Sequence, residues 1–257
     1  MGALGAAGLD SEADAAALIW LHVPAIGYSP RYLNENRDGV RSDWPRIPLP
    51  ATKDTLVESA SLGRRIASLL DTEHGVEGVT TGTIRPELRI IAEIEREGGL
   101  PLNPTTGDFD LTAGWGRAGD AGAVMPGKGR VVERDYTSNE TAGLAAGACA
   151  LGLSRERSIS CLGARTDDIY LNDFVCWKNI PSRVWDYRIG GYQVAKKWLS
   201  YREREILGRG LTLDEVTEVR QTARRIAAIL LLEPALDANY EAVIRSAYQW
   251  PGAGGVS

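Results

Sequence analysis

The sequence predicts a mixed α+β fold of irregular α/β type, helical at both ends, with short strands separated by long glycine- and proline-rich loops. Three observations carry this. Residues 52–70 and 212–232 repeat apolar side chains at helical spacing, whereas the strand-like stretches at 130–136, 168–172 and 184–189 are only five to seven residues long. The helices and strands do not alternate as βαβ units would. Finally, 29 glycines and 12 prolines leave long tracts, notably 98–129, with no periodicity.

In order along the chain, residues 12–23 read as a short helix. Ser29-Pro30 opens a second one, serine as N-cap and proline in the first turn, running to about Arg41. Trp44-Pro45-Arg46-Ile47-Pro48-Leu49-Pro50 is barred from helix by three prolines and reads as an extended strap. Thr52 starts a third helix whose Leu56, Ala60, Gly63, Ala67 and Leu70 share a face, with Gly63 marking close approach of a neighbour. Leu88–Ile94 is read as strand, 98–129 as loop with room for short strands, and 139–165 has no clear pattern. Strands are expected over Arg130–Tyr136 and Asp168–Asn172. In Val184–Ile189, alternation puts Trp185, Tyr187 and Ile189 on one face and Arg188 on the other. Gly190-Gly191 ends that strand, and a helix is expected from Tyr192 to Leu207, with Val194, Trp198, Leu199 and Tyr201 inward and Gln193, Lys196, Lys197 and Arg204 outward. Thr212-x-x-Glu215 is a capping box for the last long helix, which Pro234 is expected to close.

Composition narrows the function classes. With 44% hydrophobic and 25% charged residues, the 257-residue chain can build a sizeable core. Three cysteines and two histidines, without CxxC spacing, argue against structural zinc and a disulfide framework, and a reducing cytoplasm fits. The N-terminus lacks the pattern of a signal peptide, and no apolar run is long enough to span a bilayer, so no membrane role is expected. Net charge is −5 but uneven: residues 126–210 carry 14 basic and 10 acidic groups, while residues 1–125 carry 11 and 18. The basic part is also aromatic, with Trp185, Tyr187, Tyr192, Trp198 and Tyr201 interleaved among lysines and arginines. Such a stripe suits a polyanion, because screening confines repulsion from the rest of the protein to about 10 Å; a solvated mixed-charge face is the other reading.

Catalytic signatures are sparse. Gly114-Trp115-Gly116-Arg117-Ala118-Gly119 fits G-x-G-x-x-G, but no helix can follow through Gly122, Pro126, Gly127 and Gly129, so a loop is expected rather than a dinucleotide site, and no cofactor. His22 lies in an apolar run and reads as core or interface. The pairs Asp108/Asp110 and Asp167/Asp168 carry no specific sign of acid–base or magnesium chemistry.

Several segments resemble one family in order. The strap 44–50 resembles the FPRIPLP strap of type ISP restriction–modification enzymes and related adenine methyltransferases, and Tyr28–Asn36 is similar to their lead-in. Met125–Arg134, Tyr170-Leu171-Asn172, Trp177–Pro181, Val184–Val194 with Lys196–Arg202, and Glu233–Tyr240 are similar to their C-terminal part, so the resemblance spans roughly 20–245. It implies a target-recognition (specificity) domain that grips double-stranded DNA beside a methyltransferase core. No methyltransferase, helicase or nuclease motif is found here, so no catalysis by this chain alone is expected. The implied partners are duplex DNA and a methyltransferase/helicase partner chain or upstream domains, in phage defence. The expected organisation is a helical lead-in at 1–43, the recognition domain at 44–250 and a flexible tail at 251–257. A protein–protein docking module is the alternative, and a stand-alone methyltransferase is disfavoured.

The candidate DNA-contacting residues are Lys128, Arg130, Arg134, Lys178, Arg183, Arg188, Tyr192, Gln193, Lys196, Lys197 and Arg204. Lysines and arginines would hold phosphates, and amides after Gly191 would add an anion site. Arg188 and Gln193 would read bases, since arginine suits guanine and glutamine suits adenine.

Overall fold

The computed structural model describes residues 12–250; the first eleven residues and the expected tail at 251–257 lie outside the described residues. The fold is mixed α+β, 53% helical and 15% strand, and helical toward its C-terminus. The chain forms two compact units, one from residues up to 74 together with 232 onward, the other from 75–231.

In the first unit, helix α1 (Glu12–Gly27) continues through Pro24, where the sequence suggested an end, because Ala25 and Ile26 belong to the core. α2 (Pro30–Glu35) and α3 (Arg37–Ser42) replace the single helix expected to Arg41; Ser29 caps α2, accepting from the Tyr32 amide and donating to Asp237 Oδ1 at 2.6 Å. α4 (Lys53–Leu70) matches its expected extent. A Cβ on its Gly63 would lie 1.6 Å from the Leu21 carbonyl of α1, which explains the glycine. The proline strap is extended and docked: the Pro48 carbonyl accepts from His22 Nε2 at 2.8 Å, and the Tyr248 amide donates to the Leu49 carbonyl at 2.7 Å. With Nε2 donating, His22 Nδ1 accepts from the Ser59 hydroxyl at 2.7 Å; burial lowers the histidine's pKa, and the neutral ring serves as a core brace.

In the second unit, α5 (Pro86–Arg89) is a helical turn where strand was expected, and β1 (Glu93–Arg96) follows it. Together with β4 (Val131–Arg134), β5 (Thr166–Tyr170) and β6 (Val175–Pro181), β1 forms an antiparallel sheet of order β1-β6-β5-β4. Every residue of β5 and six of the seven in β6 are buried, so the centre of the sheet is covered on both faces while its edges, β1 and β4, stay open to solvent. Residues without visible pattern fold as α6 (Ser138–Ala150), opened by a Thr137/Glu140 capping box, and α7 (Arg155–Leu162). The long helix α11 (Leu213–Arg245) starts at the expected Thr212/Glu215 box. It runs on past Pro234, whose helix cost of about 3 kcal/mol is offset by burying Leu236, Tyr240 and Val243 in the first unit.

Two small hairpins complete the second unit: β2 (Gly116–Ala118) with β3 (Val124–Pro126), and β7 (Arg188–Ile189) with β8 (Tyr192–Gln193). Short helices α8 (Ser182–Trp185), α9 (Val194–Ser200) and α10 (Arg204–Leu207) surround them. Neither the strand expected at Val184–Ile189 nor the single helix expected at Tyr192–Leu207 forms. Val184 and Trp185 are adjacent and both buried, which a helical turn permits and an alternating strand does not. The Tyr192–Leu207 helix breaks after Ser200 because Glu203 turns inward, and Tyr201, expected inward, is exposed.

Candidate nucleic-acid interface

The expected strand–turn–helix becomes a tight hairpin followed by a helix. Gly190 and Gly191 have φ of +57° and +85°, the pair of positive values that a type I′ turn requires. They close the hairpin with Arg188 opposite Gln193 and Ile189 opposite Tyr192. The glycines therefore form the hairpin tip and are not a helix N-terminus; the seven-residue α9 begins only at Val194, so the amide anion site expected after Gly191 does not form. The hairpin base is fixed. Gln193 Nε2 donates to the Trp185 carbonyl at 2.6 Å, and the Val194 amide to the Tyr187 carbonyl at 3.0 Å. Trp185 packs edge-on against buried Trp115, centroids 5.4 Å apart, whose indole donates to the Tyr170 carbonyl at 2.8 Å.

Glu203 holds the neighbouring hairpin. Its buried carboxylate accepts from the amides of Trp115 at 2.8 Å, Gly114 at 3.0 Å and Gly116 at 3.4 Å. The G-x-G-x-x-G stretch is thus an anion-binding loop occupied by the protein's own carboxylate. Two of the nearby glycines are spacers: a Cβ on Gly116 would lie 2.0 Å from the Ser200 carbonyl, and one on Gly127 would lie 2.0 Å from the Gly114 carbonyl.

Between the two hairpins runs an open groove of about 490 Å³, lined by Val124 and Pro126 on one side and by Arg188, Tyr192, Gln193, Lys196, Lys197 and Tyr201 on the other. No carboxylate lines it among the described residues. Lys197 Nζ sits 3.8 Å from the centre of the exposed Tyr192 ring, and Arg188 makes one long bond, 3.3 Å, to the Gly191 carbonyl. Five of the eleven candidate residues converge here. Sequence reasoning missed Val124, Pro126 and Tyr201; the first two lay in a tract without periodicity, and Tyr201 was assigned to a helix that stops short of it.

The other candidates lie elsewhere. Lys128 is exposed, two residues past Pro126, with no hydrogen-bond or ion-pair partner among the described residues. Arg130 stacks over Tyr170 at 3.8 Å and donates to the Asp173 carbonyl at 2.8 Å. Arg134 lies between Asp168 (2.9 and 3.0 Å) and Glu140 (2.7 and 2.8 Å), and these carboxylates raise its already high pKa. Lys178 pairs with Glu95 at 2.8 Å, Arg183 donates to the Cys161 carbonyl at 2.7 Å, and Arg204 pairs with Asp110.

The acidic pairs are likewise accounted for within the fold. Asp108 receives Arg96 at 2.8 Å and the Asn103 amide at 2.7 Å, and Asp168 receives Arg134 and the Asn179 amide. Asp167 differs: burial, with Glu133, Asp186 and Asp168 nearby, pushes its carboxyl up to about 6. Asn172, in the Tyr-Leu-Asn stretch, ties its turn together, donating to the Asp108 and Asp110 carbonyls and accepting from the Phe174 and Val175 amides.

A family model for the type ISP C-terminal specificity domain matches residues 16–229. The chain belongs to that family. No curated protein and no solved structure matches it. Membership in the type ISP specificity-domain family gives the chain a role in DNA target recognition within a restriction–modification system. The matched residues include both hairpins and the whole groove. Among the described residues of this specificity domain, no group of three or more His, Cys, Asp or Glu could hold a metal ion, and no helix is long and apolar enough to cross a membrane.

Proposed function

We propose that this specificity domain binds duplex DNA through the groove between its two hairpins and does no chemistry of its own, leaving methylation and cleavage to other domains of the system. One observation supports the reading above the rest: Arg188, Lys196 and Lys197 converge on one hairpin and helix with no carboxylate in the groove to neutralise them. Cations so placed attract phosphates, and binding releases counterions from the duplex. Lys196 and Lys197 take the phosphate role, with Lys128 beside the groove as a further contact. Arg188 is the base reader, since one weak bond to a carbonyl leaves its donor fork free for acceptors on base edges. Gln193, expected as a second reader, spends its amide nitrogen on the Trp185 carbonyl and acts as a positioning residue for the hairpin.

The test is a fluorescence-anisotropy titration of labelled duplex against salt. Lys196→Ala/Lys197→Ala should weaken binding to all sequences alike and flatten the log–log salt slope by roughly two units. An unchanged slope removes both lysines from the interface.

A second reading has its own observation. Trp20 and Trp44, in the first unit, are 74% and 85% exposed. Indoles this open favour a docking role for that unit, against a methyltransferase or helicase portion of the same system. Quenching of their fluorescence by such a partner, absent in Trp20→Ala/Trp44→Ala, checks it.

A further inference from the structure

We propose that the Arg188–Gln193 hairpin is a wedge: its Ile189–Tyr192 pair presses between base pairs and kinks the duplex held in the groove. This rests on the DNA-binding reading above and adds to it a mode of recognition.

Four features carry it. Ile189 and Tyr192 face each other across the hairpin, so they share one side of it, and they are 55% and 62% exposed. A ribbon of two-residue strands has no core in which to bury such a pair. The tip stands clear of the protein, since a Cβ added to Gly190 or Gly191 meets nothing within 4 Å. The base, in contrast, is locked by the Gln193–Trp185 and Val194–Tyr187 bonds and by Trp185 against Trp115. A rigid stem with a free apolar tip can transmit force to whatever the tip meets.

The surroundings say what that is. Tyr192 lines the groove with Arg188, Lys196 and Lys197, Lys197 holding its ring from one side, and Ile189 faces it across the hairpin. An apolar tip beside a cationic groove complements a ligand that is anionic outside and apolar within, which describes stacked bases between phosphate backbones. The dimensions agree. Two residues of strand advance about 7 Å, and the minor groove is roughly 7.5 Å deep but only about 6 Å wide. A two-stranded ribbon reaches the floor of that groove only by opening it, and opening the minor groove around an inserted apolar side chain bends DNA toward the major groove. Specificity then gains a contribution from base steps that unstack easily, independent of hydrogen bonds to base edges.

The experiment uses the full chain and a duplex of about 30 bp carrying the sequence it enriches from a randomised library. End-to-end energy transfer reports bending, and 2-aminopurine placed along the site reports unstacking. Wild type should shorten the end-to-end distance by a kink of roughly 20–90° and brighten one 2-aminopurine position. Ile189→Ser, at an exposed position outside the groove's lining and checked for folding by circular dichroism, should keep the wild-type salt slope while leaving the duplex straight and every 2-aminopurine dark. A straight duplex with wild type, or an Ile189→Ser variant that bends DNA as wild type does, overturns the wedge while leaving DNA binding intact. Failure to bind the library even at low salt removes the DNA-binding reading, and the wedge with it.

Discussion

Replacing Glu203 by glutamine tests whether an internal carboxylate holds the groove's outer wall. Its side chain is enclosed, the residue being 5% exposed, and its two oxygens take three amides, at 2.8, 3.0 and 3.4 Å. A hydrogen bond to a charged group contributes about 1.5–3 kcal/mol, and a buried donor left without its acceptor costs a similar amount. Glutamine preserves the shape and one acceptor oxygen. It turns an NH2 toward the remaining amides, so one short bond is lost and its donor is left facing another donor. The 3.4 Å bond adds little, and the net loss should be about 2–4 kcal/mol. In urea, where a protein of this size loses about 1–3 kcal/mol per molar, the transition of the second unit should move down by roughly 1–2 M. Hydrogen exchange should localise the effect, with the Gly114, Trp115 and Gly116 amides losing protection before the sheet does. A variant within about 0.5 kcal/mol of wild type, with those amides still protected, would falsify the assignment of Glu203 as the loop's anchor.

Three further outcomes follow from the same geometry. Arg134→Met should destabilise the fold by about 1–3 kcal/mol by stranding Asp168 and Glu140, yet leave the salt slope of DNA binding unchanged; a flattened slope would place Arg134 on the phosphates. Asp167 titrates near 6 folded and near 3.8 unfolded, so the native state holds the extra proton and stability falls as pH rises from about 4 to about 6. Asp167→Asn should therefore exceed wild type in stability above pH 7 by about 1–3 kcal/mol and match it at pH 4; a constant difference across that range contradicts the assignment. Arg188→Ala should cost about 1–3 kcal/mol at a single base pair, and an equal loss over every single-base variant of the site would demote it to a phosphate contact.

Local chemistry made the capped helices legible. Ser29-Pro30, Thr52 and the Thr212/Glu215 box each sit where the structure starts a helix, because a cap is decided by neighbours within four residues. Gly63 correctly announced a close helix crossing. What failed was decided at longer range. β6 is buried on both faces and lacks alternation, so Val175–Pro181 gave no strand signal. α6 is a run of alanine and glycine with no apolar stripe, although Thr137-x-x-Glu140 was a readable start. Pro24 and Pro234 stop helices in isolation but not where the next turn is buried. The Arg188–Gln193 hairpin was legible as a basic, aromatic stretch broken by Gly190-Gly191. Its pairing partner across the groove was not, because the β2–β3 hairpin is held by Glu203, some 88 residues from the amides it binds.

The charge pattern of the sequence offers an interface more cations than the fold leaves unpaired, and the salt dependence of binding should reveal which number holds. Nine of the eleven candidate residues are cations. Were all nine to neutralise phosphates, log K would fall with log salt at a slope near −8. The fold spends five of them internally: Arg130 on the Tyr170 ring and the Asp173 carbonyl, Arg134 on Asp168 and Glu140, Arg204 on Asp110, Lys178 on Glu95, and Arg183 on the Cys161 carbonyl. Arginine is the residue usually spent in this way, since its five donors satisfy carboxylates and carbonyls together. Arg96 and Arg224 repeat the pattern, Arg96 on buried Asp108 and buried Arg224 on the Leu88 and Arg89 carbonyls and Glu93. What remains for a ligand is Arg188, Lys196 and Lys197 in the groove, with Lys128 beside it. Four free cations give a slope of about −3 to −4. A measured slope steeper than about −7 would require the paired side chains to abandon their carboxylates on binding, and the division between structural and ligand-facing charge drawn from this fold would then be wrong.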